Sequence, residues 1–321
     1  MKTKNIITSL FFLGSIAVSA QKYDIKTAKT YAEISAKTDG KWEGRKYKGG
    51  TVFKNVDRLK LAPEHTDHSF DIRYEGPGWE SNRIGYRLYL DWRNAIDIFG
   101  KKTSEMILPK VGQDNFDSYH EMSDWGADIL KAGKAIGIGS IDRYLNNEKL
   151  HFREVDSTIA TVVNKSTQSG VKIDYYGWKT ASDKIDFTSE LTIKPDQLYT
   201  QHTIKPSKEI KGICTGIAKQ KNTELFKKDS KNKKWAYIAT YGEQSLVPDK
   251  LGMAIFYQKG TIENNVETDL DYLLVFKPTT KATTFYLLGA WEQEVNGIKS
   301  KEEFVKYLDE KLEILNKKGK M

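Results

Sequence analysis

The side chains that could carry chemistry crowd into one part of this 321-residue chain, between Trp79 and Gly139. Asn82-Arg83-Ile84-Gly85-Tyr86-Arg87 sets two arginines on a strand-like run beside Trp79. Tyr119-His120 and Asp124-Trp125 follow, with Gly126, Asp128 and Lys131 close behind. An arginine fork grips a carboxylate or sulfate through two parallel hydrogen bonds, and an indole face covers the apolar side of a sugar ring. Tyr119 and His120 are adjacent proton-transfer groups. A neutral imidazole, with an unperturbed pKa of about 6.5, accepts a proton near neutral pH. Together these types fit proton abstraction beside an anion carried on a sugar. Each residue also has a plain structural reading, the arginines as cross-strand ion pairs and His120 as a satisfied structural histidine. Their concentration in one segment favours a site.

Other chemistries find less. The chain has no Gly-x-Ser-x-Gly elbow, no His-Glu-x-x-His and no phosphate-binding glycine loop. Gly137-Ile138-Gly139 lacks the strand–glycine–helix setting of a dinucleotide site and reads as a turn between strands. His65 and His68 flank Asp67 as a weak metal half-site. Cys214, the one cysteine, lies in an apolar strand-like run and reads as a buried small hydrophobe, so the core and not a disulfide must hold the fold.

The elements that must position these groups are strands. Ile84, Tyr86, Leu88 and Leu90 alternate with Gly85, Arg87 and Tyr89; Val171, Ile173 and Tyr175 repeat the pattern, as do Ile185, Phe187, Leu191 and Ile193. Further strands are expected over 198–204, 235–240, 253–257, 272–276 and 284–288, punctuated by turns such as Gly76-Pro77-Gly78 and Lys194-Pro195-Asp196. The segment 227–234 reads as a basic, solvated hairpin tip. The expected fold is all-β, a large antiparallel β-sandwich of the curved super-sandwich type. One helix is expected, at the C-terminus: Ser300 and Glu303 form a capping box, and Phe304, Leu308, Leu312 and Leu315 share one face.

Lys2 and Lys4, the apolar run to Ala17 and the small residues Val18-Ser19-Ala20 read as a signal peptide over 1–20. Residues 21–321 then form one β-sandwich catalytic domain, periplasmic or secreted, with no membrane span after cleavage. The formal charge of +8, with acidic and basic residues interspersed, suits an acidic saccharide partner. Nucleic acid is a poor fit, because no Lys/Arg-rich helix or zinc-knuckle spacing is present.

The Asn82-Arg83-Ile84-x-Tyr86-Arg87 strand, the Ala95-Ile96-Asp97-Ile98-x-Gly100-Lys101 run and the Tyr119-His120…Gly126-x-Asp128…Lys131…Gly137-x-Gly139 block resemble a family of exported β-sandwich proteins. That family, long catalogued as a domain of unknown function, occurs in saccharide-degradation gene clusters of Bacteroidetes. The resemblance extends through Trp235 to Tyr257. It implies an oligosaccharide dehydratase of the ulvan-degrading type, which removes water from a terminal glucuronate or iduronate and leaves a 4,5-unsaturated uronate.

Such an elimination needs three things. The uronate carboxylate must be neutralised, a base must take the C5 proton, and an acid must protonate the departing 4-hydroxyl. On chemical grounds Arg87 or Arg83 neutralises, His120 is the base, and Tyr119 or Tyr241 is the acid. Trp125 and Trp178 are sugar platforms, and Lys131 and Asp124 are further substrate contacts. No cofactor is needed for an elimination, with a bound divalent metal the open exception. Two other functions stay open: a lyase or glycoside hydrolase that shortens acidic chains, for which Asp124 and Asp128 would be the carboxylate pair, and a saccharide-binding protein without catalysis.

Overall fold

The computed structural model describes residues 23–50, 52–113, 118–221 and 223–321. The expected leader and its cleavage junction lie outside the described residues. Among the described residues the fold is all-β with one C-terminal helix, as alternation and capping predict. No helix there is long and apolar enough to cross a membrane.

Three sheets build the body. The largest has nine antiparallel strands, running from Phe226–Asp229 at one edge through Trp235–Glu243, Lys250–Gln258, Thr283–Trp291, Tyr199–Pro206, Asp183–Ile193, Gln168–Thr180 and Ser157–Lys165 to Arg58–Lys60. Facing it are two five-stranded sheets. One, hereafter the site sheet, orders Thr30–Glu33, Gly78–Ser81, Ile84–Leu88, Ile96–Lys101 and Gly126–Asp128. The other orders Glu148–Leu150, Asp142–Leu145, Ile213–Ala218, Asp271–Phe276 and Ile262–Glu267.

Residues 137–139 stitch these two sheets into one layer. Ile138 N–H donates to the Ile96 carbonyl (3.0 Å), Gly139 N–H to the Gly216 carbonyl (2.8 Å) and Ala218 N–H to the Gly137 carbonyl (2.7 Å). The expected turn is therefore an extended connector. Gly137 has a φ of 72°, and a Cβ there would lie 2.0 Å from the Ile96 carbonyl oxygen, so only glycine lets the chains approach.

Between the layers lies the apolar core. Ile84, Tyr86, Leu88, Ile96, Ile98 and Trp79 of the site sheet pack against Phe285, Leu287, Ile173 and Leu191 of the long sheet within one buried cluster. Polar tips of aromatic residues tie the layers. The Trp79 indole N–H donates to Thr200 Oγ1 (2.8 Å), and the Gly289 N–H donates to the Tyr86 hydroxyl (2.9 Å). Burying one such side chain contributes roughly 1.5–3 kcal/mol, which is how a chain whose single cysteine is free holds its fold.

The helix Lys301–Lys318 buries Phe304, Leu308, Leu312 and Leu315, the stripe expected from spacing. The Ser300 side chain caps the Glu303 N–H (3.1 Å), and Gly319, at φ 70°, closes the other end. The basic hairpin tip is solvated as expected, with 227–229 and 231–234 exposed, and it still touches the helix. Lys228 pairs with Asp309 (2.6 Å) and the Asn232 N–H donates to Asn316 (2.9 Å), docking the tip on the helix.

Candidate active site

Alternation along Ile84–Leu88 predicts two faces correctly but not their surroundings. All five residues of that strand are buried, because the face carrying Arg87 has a roof. Residues 102–113 and 118–125, with 73–76, cover it. Glu80 accepts the Ile107 and Leu108 N–H groups (both 2.9 Å) and pairs with Lys101 (2.6 Å), and neither charged side chain of that pair is exposed. Burial holds the Lys101 ammonium pKa below its usual value, Glu80 opposing. Glu33 takes hydrogen bonds from Arg73 and from the Tyr74 hydroxyl. Phe99 packs edge-on against Tyr74 (5.7 Å), Tyr119 (6.2 Å) and Trp125 (6.0 Å). The roof thus rests on buried ion pairs and aromatic edges.

Arg87 is the hub of this buried layer. Its Nη2 donates to Asp128 Oδ2 (2.6 Å), to Asp97 Oδ2 (3.2 Å) and to the Tyr89 hydroxyl, and its Nη1 donates to the Tyr119 hydroxyl (2.9 Å). Tyr89 donates in turn to Asp97 (2.7 Å). Antiparallel register sets Arg87 directly opposite Asp97. Gly126, at φ 128°, has no room for a Cβ over the Gly100 carbonyl oxygen (1.8 Å) and lets the short strand carrying Asp128 close on its neighbour.

Burial, then the charge of Asp128, pushes the Asp97 carboxyl up to about 7, with Arg87 opposing. Burial likewise raises the Tyr119 and Tyr89 phenols despite Arg87. Among the described residues Asp97 Oδ1 and Arg87 Nε have no hydrogen-bond partner.

His120 ends the three-residue turn Ser118–His120 and is the opening of this layer to solvent. Its side chain is 35% exposed, whereas those of Arg87 and Asp128 are 0% exposed. Nε2 lies 3.4 Å from Asp128 Oδ2 and 3.5 Å from Arg87 Nη2. The Tyr119 and His120 rings lie 4.5 Å apart. With the proton on Nε2, Asp128 accepts it and Nδ1 carries the basic lone pair.

A second, shallower set of charges adjoins the hub through Tyr89. The Arg93 guanidinium stacks 3.8 Å over the Tyr89 ring and donates to Asp91 (2.9 Å from Nε), Asp67 (2.9 Å) and Glu75 (3.0 Å). Positive φ at His68, Phe70, Tyr74 and Glu75 (57°, 65°, 40° and 65°) bends 68–75 so that His68 and Glu75 face this group. Non-glycine residues hold such angles only where tertiary contacts impose them. Asp67, His68 and Glu75 have oxygen and nitrogen atoms close enough together to hold a cation. Arg93 already occupies the space between Asp67 and Glu75. His65 takes no part: it turns inward to Asp71 (2.9 Å), so the weak His65–His68 half-site of the sequence does not form.

The expected site therefore comes together in part. Arg87, Tyr119 and His120 meet, and Trp125 is half-buried at the roof edge against Phe99. Arg87 does not face outward as an anion grip, because two aspartates and two tyrosines occupy its donors. Trp178 is fully buried, stacked 3.8 Å on Phe152, and offers no face to a sugar. Tyr241 lies under the C-terminal helix, 5.5 Å from the Phe304 ring, away from His120. Arg83 sits at the far turn of the site sheet near Glu294 (3.9 Å). Asp124 and Lys131 are exposed, and Asp124 does not form the facing carboxylate pair with Asp128, which is buried under Arg87.

Asp97, Tyr89, Arg93 and Glu75 were not singled out from sequence. Asp97 had a usable signal. It alternates with Ile96 and Ile98, so it shares the polar face with Arg87 once the strands pair.

The chain belongs to the DUF4861 family, a domain of unknown function, which matches residues 13–321. No curated protein matches it. Similar solved structures include a human-microbiome protein provisionally described as a kojibiose phosphorylase, at 12% identity and TM-score 0.38, covering 74% of this chain and 32% of that one. A TPR-domain-containing protein from Parabacteroides distasonis matches at 6% identity and TM-score 0.37, covering 81% and 54%. A 4-α-glucanotransferase from Thermococcus litoralis matches at 12% identity and TM-score 0.32, covering 70% and 38%. The chain thus spans about a third to a half of the length of these proteins.

Proposed function

We propose that this protein is an oligosaccharide dehydratase that removes water from a terminal uronate of an acidic, ulvan-type oligosaccharide. The observation that carries the proposal is the half-exposed His120 seated on the buried Asp128–Arg87 pair. A base oriented by a carboxylate and open to solvent on one side is what removal of a weakly acidic C–H proton requires. The saccharide class comes from the likeness of the 82–87, 95–101 and 119–139 segments to that enzyme type.

In this reading His120 takes the C5 proton. The C–H electron pair becomes the C4–C5 double bond, the C4–O bond breaks, and the imidazolium returns its proton to the departing hydroxyl, so one water leaves. Asp128 stabilises the imidazolium. Arg87 and Tyr119 act through Asp128 and His120 as positioning residues. The site would act in the periplasm or outside the cell after removal of residues 1–20, with no cofactor.

Incubation with defined uronate-terminated oligosaccharides tests this. The expected result is a mass decrease of one water with a rise in ultraviolet absorbance and no chain shortening. Shortened chains would replace the reading with a depolymerising lyase or hydrolase, and binding without turnover would replace it with a binding protein.

A further inference from the structure

A cavity opens beside Asp91, the partner of Arg93. It has a volume of about 420 Å³, within the roughly 300–1,000 Å³ usual for small-molecule sites, and is lined by His65, Asp91, Trp92, Phe152, Arg153 and Arg45 among others. Its wall is partly aromatic. Trp92 is half-buried, with the Arg153 guanidinium 4.5 Å over its ring and His151 edge-on at 5.1 Å. Its rim is basic. Arg45, Lys60 and Arg153 are exposed, whereas its two acids are already paired, Asp91 with Arg93 and Asp156 with Lys184 (2.6 Å).

His65 points to a ligand independently of that charge. Its side chain is 3% exposed, and Nδ1 is held by Asp71 (2.9 Å) and lies 3.3 Å from Ser69 Oγ. Burial would raise the Asp71 carboxyl, but the hydrogen bond and charge of His65 outweigh it and hold the pKa below its usual value. The ring is thus fixed in orientation. Among the described residues its buried Nε2 nevertheless has no partner. A buried polar atom left without a hydrogen bond costs about 1–3 kcal/mol, a cost that a ligand hydroxyl in the cavity would remove.

We propose that this cavity is a subsite for an anionic sugar unit, carboxylated or sulfated, adjoining the unit that reacts at His120. The proposal rests on the acidic-oligosaccharide reading above. Arg153 and Arg45 face the anion, Trp92 backs the ring, and His65 Nε2 bonds a ring hydroxyl. The route Asp91–Arg93–Tyr89–Arg87 joins the cavity to the hub through consecutive contacts.

The test uses an unsaturated trisaccharide with a sulfated penultimate unit, and its desulfated form, titrated calorimetrically so that binding is read without turnover. The sulfated form should bind the unaltered protein more tightly by roughly tenfold, the scale of one charge-assisted contact. Arg153→Glu, a change at an exposed residue, should abolish that preference while leaving the melting temperature in place. His65→Phe should weaken both forms alike. Equal affinity of the unaltered protein for the two forms, no binding of either, or an undiminished preference in Arg153→Glu would each overturn the subsite. Failure of the dehydratase reading shows separately, as no loss of water from saturated substrate whatever the binding result.

Discussion

The two faces of the site sheet share their strands and differ in almost everything else. On the inner face Trp79, Ile84, Tyr86, Ile96 and Ile98 are at 0% exposure against the long sheet. On the outer face Glu80, Arg87, Asp97, Lys101 and Asp128 are at most 1% exposed, yet every one is ionisable. Apolar burial is favourable whatever the neighbour's detailed geometry. A buried ion pair gains stability only when the partners' geometry offsets the desolvation of both. The outer face is therefore the less forgiving one, and such perturbed groups gather where proteins do chemistry. The same sheet holds a core on one side and a poised polar layer on the other.

The largest expected effect breaks the comparison at the outer face without touching stability. His120→Ala should lower turnover by about two to four orders of magnitude, the scale of lost acid–base help, while the melting curve stays near that of the unaltered protein. Turnover near the original rate in a folded variant would remove His120 from the chemistry.

Arg87→Ala should act on stability instead. It strands Asp97 and Asp128 in a buried layer, and chemical denaturation should show a loss of about 3–5 kcal/mol. Arg87→Lys keeps the charge but cannot serve Asp97, Asp128 and two tyrosines from one planar fork, so it should rescue only part of that loss. A folded Arg87→Ala of unchanged stability would mean that the outer face is not held by its ion pairs.

On the inner face, Ile98→Val removes one methylene from a packed core and should cost about 0.5–1.5 kcal/mol with turnover unchanged. A large change in turnover from this variant would show that the two faces are not separable.

The smallest effect is a pH dependence. Burial raises the Asp97 carboxyl to about 7 and the Glu294 carboxyl to about 8. Both groups are easier to ionise in the unfolded chain, where carboxyls titrate at about 4. Their contribution to stability is thus fully present below about pH 4 and is lost as pH rises through 7 and then 8. Melting temperatures should fall from pH 5 to about 8 through these groups and level off above it, and Asp97→Asn should flatten the part below about 7. An unchanged slope in Asp97→Asn would place the titration elsewhere.

Much of this architecture was legible in the residues. Period-two runs such as Val171–Tyr175 and Ile185–Ile193 became strands because alternating side chains can bury one face only in a pleated chain. Ser300, Glu303 and the stripe from Phe304 to Leu315 became a capped helix for equally local reasons. The meeting of Tyr119, His120 and Arg87 was anticipated from chemical type. Trp178 was misread, since an aromatic in an alternating run carries no mark of which sheet faces it. For the same reason Arg87 was assigned a ligand, and its alternative reading as a cross-strand ion pair is the one the register bears out.

Local periodicity and capping are written in neighbouring residues, so the sequence by itself determined the strands, the helix and which side chains share a face. Whether the polar face of 84–88 met water or a roof, and whether Arg87 faced a ligand or Asp97 and Asp128, was decided only by tertiary structure. Strand register brought Arg87 opposite Asp97, and a roof from residues tens of positions away removed the water. Desolvation and pairing depend on what lies across space, and no local pattern encodes that distance.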